Sequence, residues 1–251
     1  MDMTIAGKVA LVTGSSRGIG RAIAIALHQE GCKLVLNGRN GDSLQEAVDE
    51  LPGSVAVRGD VQQKEEAVRI VAAATAAFGG LDIVVCNVGG GRSVPPGTET
   101  ATEWQRMFAL NLWSATNVVE AAVGELERRA GNIVCISSIC GVEMVPDAPL
   151  TYSCAKAALN AYVRGAARPL GRRHVRINAV VPGNILVDDS VWARKLTEDS
   201  EVLQKMLDRE VSLRRLGTPE EVADLVVYLA SPRAAFATGG VWTLDGGQLR
   251  S

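Results

Sequence analysis

Thr13-Gly14-Ser15-Ser16-Arg17-Gly18-Ile19-Gly20 separates a strand-like run, Lys8-Val9-Ala10-Leu11-Val12-Thr13, from a helical stretch running from Gly18 to Glu30. In that stretch Ile19, Ile23, Ala26 and Leu27 fall on one stripe, and Gly31 closes it as a C-terminal glycine does. Glycines between a first strand and a first helix let the backbone turn tightly and come close to a pyrophosphate. The helix amino terminus then meets the phosphate with free N–H groups and the positive end of its dipole. A glycine cluster alone only punctuates a loop; its place after the first strand gives this one meaning.

Outward from this turn the chain keeps alternating. Short β-branched runs at 33–36, 54–57, 81–86, 132–136, 175–181 and 241–244 are expected strands, and 43–51, 64–78, 102–127, 151–171 and 219–230 are expected helices. The run 81–86 is apolar almost throughout, which implies burial on both faces, as in a parallel sheet covered by helices. Right-handed crossovers then give one α/β domain over 1–251, a doubly wound, Rossmann-type parallel sheet of about seven strands with helices on both faces. The rhythm breaks only after Pro182-Gly183, where 184–215 forms a long, polar, helical insertion.

Composition narrows the function classes. With 47% hydrophobic and 22% charged residues and a net charge of −2, the chain has an ordinary core and no basic field to gather nucleic acid or anionic lipid. The amino terminus has no basic segment leading into an apolar one, and the apolar runs are strand-sized, so neither a secretory signal nor a membrane span is expected. Five cysteines (Cys32, Cys86, Cys135, Cys140, Cys154), odd in number and without a C-x-x-C pair, read as free thiols in a reducing compartment, and a cytoplasmic location is expected. His28 and His174 stand apart from any metal-ligating set, so no metal is expected.

The spacing G-x-x-x-G-x-G, with Thr13 before it, resembles the short-chain dehydrogenase/reductase family, and the resemblance extends from Lys8 to Gly247. Gly14, Ser16, Arg17, Gly18, Ile19 and Gly20 are then the expected pyrophosphate contacts. An NAD enzyme normally places an acidic residue after the second strand to bind the ribose 2′-hydroxyl. Here Leu36-Asn37-Gly38-Arg39-Asn40 puts Gly38 at that position. A carboxylate would repel a 2′-phosphate, whereas Arg39 and Arg17 can both donate to one, so NADP(H) is expected in preference to NAD(H). In the family an Asp after the third strand meets the adenine, which nominates Asp60 with Val61; a helix N-cap is the other reading of Asp60. Asn87-Val88-Gly89 stands where the family has Asn-Ala-Gly, which nominates Asn87 and Gly89. Pro182, Gly183 and Ile185 are expected beside the nicotinamide, and no Thr follows them in Gly183-Asn184-Ile185-Leu186-Val187.

Tyr152-Ser153-Cys154-Ala155-Lys156 opens an expected helix, and a four-residue offset places Tyr152 and Lys156 on one face. Hydride reduction of a ketone leaves an alkoxide that must gain a proton. A phenol is a poor base near neutral pH, and a neighbouring ammonium is expected to lower its pKa. Family resemblance gives Lys156 the further task of holding the nicotinamide ribose. Ile133-Val134-Cys135-Ile136-Ser137-Ser138 ends in hydroxyls; Ser138, followed by Ile139-Cys140-Gly141, is the candidate to polarise the substrate oxygen, and Ser137 suits a backbone-satisfying role. Asn111 is unfavourable inside an apolar helix, which hints at a specific duty. By resemblance it supports a water that links Lys156 to solvent.

The insertion 184–215, with Asp188, Asp189, Trp192 and Met206, is expected to cover the substrate as a lid. The pattern most resembles 3-oxoacyl-[acyl-carrier-protein] reductases, whose two basic positions for gripping the carrier fall near Arg129 and Arg173. A sugar, polyol, steroid or other small-alcohol dehydrogenase of the same family is the alternative, and a non-catalytic NADP-binding sensor the second. Trp113, Val118 and Val119 on the 102–127 helix suggest a homo-dimer or homo-tetramer, as the family usually forms.

Overall fold

The computed structural model describes residues 2–250 except Asp147 and Asp189. Its sheet has the order β3-β2-β1-β4-β5-β6-β7, every neighbouring pair parallel. The strands are β1 (Val9–Thr13), β2 (Lys33–Gly38), β3 (Val55–Arg58), β4 (Ile83–Cys86), β5 (Asn132–Ile136), β6 (Arg176–Pro182) and β7 (Val241–Leu244). The chain runs outward from β1 to β3 and then returns to place β4 on the other side of β1. That reversal opens a crevice at the carboxyl ends of β1 and β4, where ligands bind in such sheets.

Central strands are apolar because each face meets helices. Ala10 and Val12 of β1 pack with Ile23 and Leu27 of α1 (Gly18–Gln29) and with Val222 and Val226 of α9 (Pro219–Ala230). Val9 and Leu11 point to the other face, against α3 (Lys64–Phe78), whose Ile70 and Val71 share their cluster with Val118 and Leu126. Each of the Val, Leu and Ile side chains so removed from water contributes about 1.5–3 kcal/mol. α9 also starts on a reciprocal cap: Thr218 and Glu221 bond each other's backbone, and Pro219 holds the first helical position.

The expected helix at 102–127 is three pieces: α4 (Ala101–Phe108), a π segment (Ala109–Trp113) and α5 (Ser114–Arg128). The π segment encloses Asn111, whose side-chain N–H reaches the Met107 carbonyl at 3.1 Å and the Gly90 carbonyl at 3.2 Å. An inserted side chain that competes for the helical ladder widens a turn in this way. Val118 and Val119, expected to face a partner, are 0% and 3% exposed in the core; Trp113 alone of the three is open, at 44%. Asp60 is not the N-cap of α3, which is Gln63; its carboxylate instead accepts from the Gln62 backbone N–H at 3.0 Å, two residues on.

α6 (Leu150–Gly171) carries Tyr152 and Lys156, and the insertion contains α7 (Val191–Glu198) and α8 (Ser200–Glu210). α2 (Gly41–Asp49) follows β2, capped by Asn40. Among the described residues no helix is long and apolar enough to cross a membrane.

Candidate active site

The turn after β1 packs tightly enough to exclude side chains. A Cβ on Gly20 would collide with the Gly14 carbonyl oxygen and Asn87 Nδ2. Asn87 Nδ2 donates to the carbonyls of Thr13 and Gly14 at 3.0 Å each, and its backbone N–H reaches Thr13 Oγ1 at 3.0 Å. The carboxyl ends of β1 and β4 are thereby stitched together beneath the crevice. Arg17, the N-cap of α1, makes no side-chain bond into the helix, so the first-turn N–H groups stand available to a ligand's oxygens. Ser16 and Ile19 are half-buried beside them. The cradle fits a dinucleotide pyrophosphate. Val187 Cγ1 lies 2.9 Å from where a Cβ on Gly18 would sit, so the start of the insertion folds onto this turn.

Gly38 ends β2 with Ser16 Oγ 3.5 Å from its notional Cβ, which leaves the floor of the ribose pocket open. Arg39 is exposed and lies 3.6 Å from the Asp60 carboxylate. Arg58, not singled out from sequence, donates from Nε to the Arg39 carbonyl at 2.9 Å. Asn37, also missed, ties β2 to the end of β3 by donating to Val57 and Gly59 carbonyls at 2.9 and 3.2 Å. Val61 is buried beneath, and its carbonyl accepts from Asn117.

Lys156, 3% exposed, donates to the Ile136 carbonyl at 2.7 Å. Asn111 is fully buried, and its Oδ1 accepts the Gly90 N–H at 2.9 Å. Between them lies Gly89: a Cβ there would sit 2.9 Å from both Asn111 Oδ1 and Lys156 Nζ. Only glycine lets the lysine and the asparagine approach the same spot of backbone. Gly91, missed from sequence, faces the Tyr152 ring, with Cε1 3.6 Å from its notional Cβ. The Gly89-Gly90-Gly91 run was visible as sequence; its value lies in what folds against it.

Ser138, at the end of β5, accepts the Cys140 N–H at 3.2 Å. Ser137 instead donates to the Lys156 carbonyl at 3.4 Å, while its N–H goes to Val180 at 2.7 Å, the backbone role expected of it. Burial pushes the Tyr152 phenol up to about 12, against a smaller pull from Ser138, with the Cys140 thiol adding to the rise. Burial also pushes Lys156 down to about 8, with the thiols of Cys135 and Cys140 opposing. The expected lowering of the phenol pKa is therefore reversed, because burial dominates and Ser138 offsets only part of it. A phenol in that state holds its proton at neutral pH and can donate it.

Pro182 and Gly183 close β6 against β7: the Gly183 N–H reaches the Leu244 carbonyl at 2.9 Å. Ile185 is buried and bridges to Gly217 through the Asn184 carbonyl and the Leu186 N–H, which turns its own N–H to the other side. Asp188 follows; Asp189 lies outside the described residues. Trp192 and Met206 pack with Leu203, Leu207 and Val211 as a small separate cluster.

Arg129 and Arg173 sit at the amino ends of β5 and β6, the opposite edge of the sheet from Tyr152. Arg129 lies 3.6 Å from Asp82 and donates to the Gly79 carbonyl at 2.6 Å; Arg173 donates to Glu127 at 2.6 Å. Cys32, Cys86 and Cys135 are buried, and burial holds Cys32 at about 12, far from a reactive thiolate.

Residues 14–248 match the sequence profile of a family described as Enoyl-(Acyl carrier protein) reductase. The chain is 31% identical over 250 residues to the 7alpha-hydroxysteroid dehydrogenase of Escherichia coli, covering 98% of this chain and 96% of that one. L-Sorbose reductase from Gluconobacter frateurii, solved with NADPH and L-sorbose, superposes over 100% of both chains with a TM-score of 0.92 at 34% identity. A 7 alpha-hydroxysteroid dehydrogenase complexed with NADH and 7-oxo glycochenodeoxycholic acid does so with a TM-score of 0.91 at 31% identity, over 100% of this chain and 97% of that one.

Proposed function

The chain belongs to the short-chain dehydrogenase/reductase family, and from that premise we propose that it reduces a small, largely apolar ketone with NADPH, Tyr152 supplying the proton. It is an oxidoreductase acting on CH–OH groups with a nicotinamide nucleotide. The observation that carries the finer reading is the convergence of Tyr152, Lys156 and Asn111 on the Gly89-Gly90-Gly91 strip.

Bound reduced nicotinamide supplies the hydride. Ser138 donates to the substrate oxygen and stabilises the charge that grows there. Tyr152 delivers its phenolic proton to the forming alkoxide, and the Lys156 ammonium stabilises the phenolate left behind. Lys156 would also hold the ribose hydroxyls, and Asn111, which holds the Gly90 backbone, would support a water that returns the proton from solvent. Asn87 and Gly89 would shape the nicotinamide site, which Pro182, Gly183 and Ile185 would help to line. Arg39 and Arg17 would hold the 2′-phosphate of NADP, and Asp60 with Val61 would border the adenine. The whole of 1–251 acts as one catalytic domain with 184–215 as its lid, assembled as a homo-oligomer.

Two observations favour a small ketone over an acyl chain on a carrier protein. Arg129 and Arg173 are engaged by Asp82 and Glu127 at the far edge of the sheet. The segment after Ser138 and the insertion instead carry open apolar side chains: Val142 and Met144 on the first, and Leu186, Val191 and Leu196 on the second. Following the absorbance of NADPH and of NADH with oxo-steroids, ketoses and acetoacetyl thioesters tests the reading. Turnover of a free ketone with NADPH, unchanged by Arg129→Ala, is expected. Turnover confined to a carrier-borne thioester and lost in Arg129→Ala would install the acyl-carrier reading, and tight NADPH binding with no turnover the sensor.

A further inference from the structure

Tyr152 stands in the first turn of α6, and that turn begins without a side-chain cap: the N-cap is Pro149, whose side chain makes no bond into the helix. Helix ends fray when nothing holds them, yet proton delivery needs the phenol fixed to a fraction of an ångström. The structure anchors this turn from outside. Thr151, fully buried and adjacent to Tyr152 in the chain, places Oγ1 2.8 Å from Ser93 Oγ, and Ser93 donates to Glu103 Oε1 at 2.5 Å. Arg106 holds the same carboxylate with Nε at 2.8 Å and Nη2 at 2.6 Å, and Nη2 also reaches the Arg92 carbonyl at 2.8 Å.

The direction of these bonds follows from the acceptor. Arg106, then Ser93, holds the Glu103 carboxyl down to about 2, so it only accepts. The Ser93 proton is committed to it, and Thr151 must donate to Ser93. A chain with one allowed polarity fixes both hydroxyl rotors, which a pair of free hydroxyls would not. Its middle member belongs to the segment that begins at Gly91, the residue against the Tyr152 ring. One network therefore grips the helix that carries the phenol and the strip on which its ring lies.

We propose that Glu103, acting through Ser93 and Thr151, is a positioning residue for the Tyr152 proton donor. The proposal rests on the reading of Tyr152 given above and extends it to three residues outside the reacting groups. Misplacing a reacting group by about 1 Å can cost on the order of a hundredfold in rate, so Thr151→Val should lower kcat by about tenfold or more while the KM for NADPH stays within about twofold. Thr151→Ser, which keeps the hydroxyl, should restore kcat to within about twofold of the parent. Ser93→Ala, in a loop and half-buried, should repeat the Thr151→Val result if that variant does not fold.

The measurement is steady-state kinetics of the three variants on whichever ketone the parent turns over, with melting temperatures alongside. Unchanged kcat in Thr151→Val and Ser93→Ala overturns the proposal. So does a Thr151→Ser variant as slow as Thr151→Val, or a nucleotide KM that rises in step with the loss of kcat. If Tyr152→Phe itself keeps the parent rate, the role of Tyr152 fails first, and that result is read independently of Thr151.

Discussion

Both ends of the parallel sheet place cations beside buried backbone, and they treat the charge differently. At the amino end Lys8 lies 3.0 Å and Arg129 3.6 Å from Asp82, which is 4% exposed, and Arg176 spends its guanidinium on the carbonyls of Leu229, Ala237 and Ser231. The cavity there, about 220 Å³, is lined by these groups with Asn132. At the carboxyl end Lys156 is more deeply buried than Lys8, and among the described residues its ammonium bonds only the Ile136 carbonyl. Desolvating an ammonium without a carboxylate is costly, and proteins keep such a group mainly where chemistry uses it. The amino end spends its charges on joining strands and helices; the carboxyl end keeps one in reserve.

Replacing the lysine at each end in turn tests that contrast most directly. Tyr152→Phe should lower kcat for ketone reduction by about 10²–10⁴, the usual worth of a positioned acid, and Lys156→Met should do the same within about tenfold. Lys8→Met at the other end should leave kcat unchanged. Circular dichroism would verify that all three fold. A Lys8→Met variant as slow as Lys156→Met would erase the distinction.

The pH dependence gives the next effect in size. The phenol, at about 12, stays protonated through the accessible range, so the group that titrates is Lys156, at about 8. Below that pH the ammonium is present and stabilises the phenolate formed on proton transfer. As pH rises through about 8 the charge is lost, and reduction should slow by up to about tenfold per unit if one ionisation governs it. A kcat for reduction that climbs between pH 7 and 9 would contradict the assignment.

Nucleotide choice tests the exposed rim of the same end. Arg39→Ala should raise the KM for NADPH by about tenfold, a charge-assisted contact of roughly 1.5 kcal/mol, and leave that for NADH nearly unchanged. The pairing of Arg39 with Asp60 at 3.6 Å sharpens this: Asp60→Asn frees the guanidinium and should strengthen NADPH binding slightly. At the amino end Asp82→Asn tests structure alone. It leaves Lys8 and Arg129 without their carboxylate and weakens the Val9 N–H bond at 3.0 Å, at a cost on the order of 1–3 kcal/mol. Calorimetry should record a fall in Tm of about 2–4 °C per kcal/mol, with kcat unchanged.

Much of this architecture could be read before folding was considered. The ranges of α3, β5, α9 and β7 agree with the sequence pattern: α3 and α9 each bury one apolar face, β5 is buried throughout, and the Thr218–Glu221 box marks the start of α9. Tyr152, Lys156, Ser138 and Asn111 are legible as types in order. What was not legible arises from contacts between distant segments. The π segment at Asn111 depends on Gly90, 21 residues away, accepting its amide. The Ser93–Thr151 bond joins residues 58 apart, with no local period to announce it. The phenol's raised pKa comes from burial, which a four-residue spacing cannot disclose. Val118 and Val119 misled because apolar residues on two helix faces fit a second core layer as well as a partner.

The smallest effect concerns how the insertion, the proposed lid, is fastened to the catalytic end. The Arg250 backbone N–H donates to Glu143 at 3.1 Å, in the segment after Ser138, and its guanidinium donates to Glu210 of α8 at 2.8 Å. One residue thus links the serine loop to the 184–215 insertion. The ion pair is open to solvent, its side chains 74% and 26% exposed, and such pairs contribute only about 0–1 kcal/mol. Arg250→Ala should therefore raise the substrate KM by no more than about fivefold, leave kcat and the nucleotide KM alone, and lose its effect in high salt, where the parent's pair is already screened. A large fall in kcat would mean that the lid positions the reacting groups themselves, and the catalytic end would then extend well beyond the buried lysine.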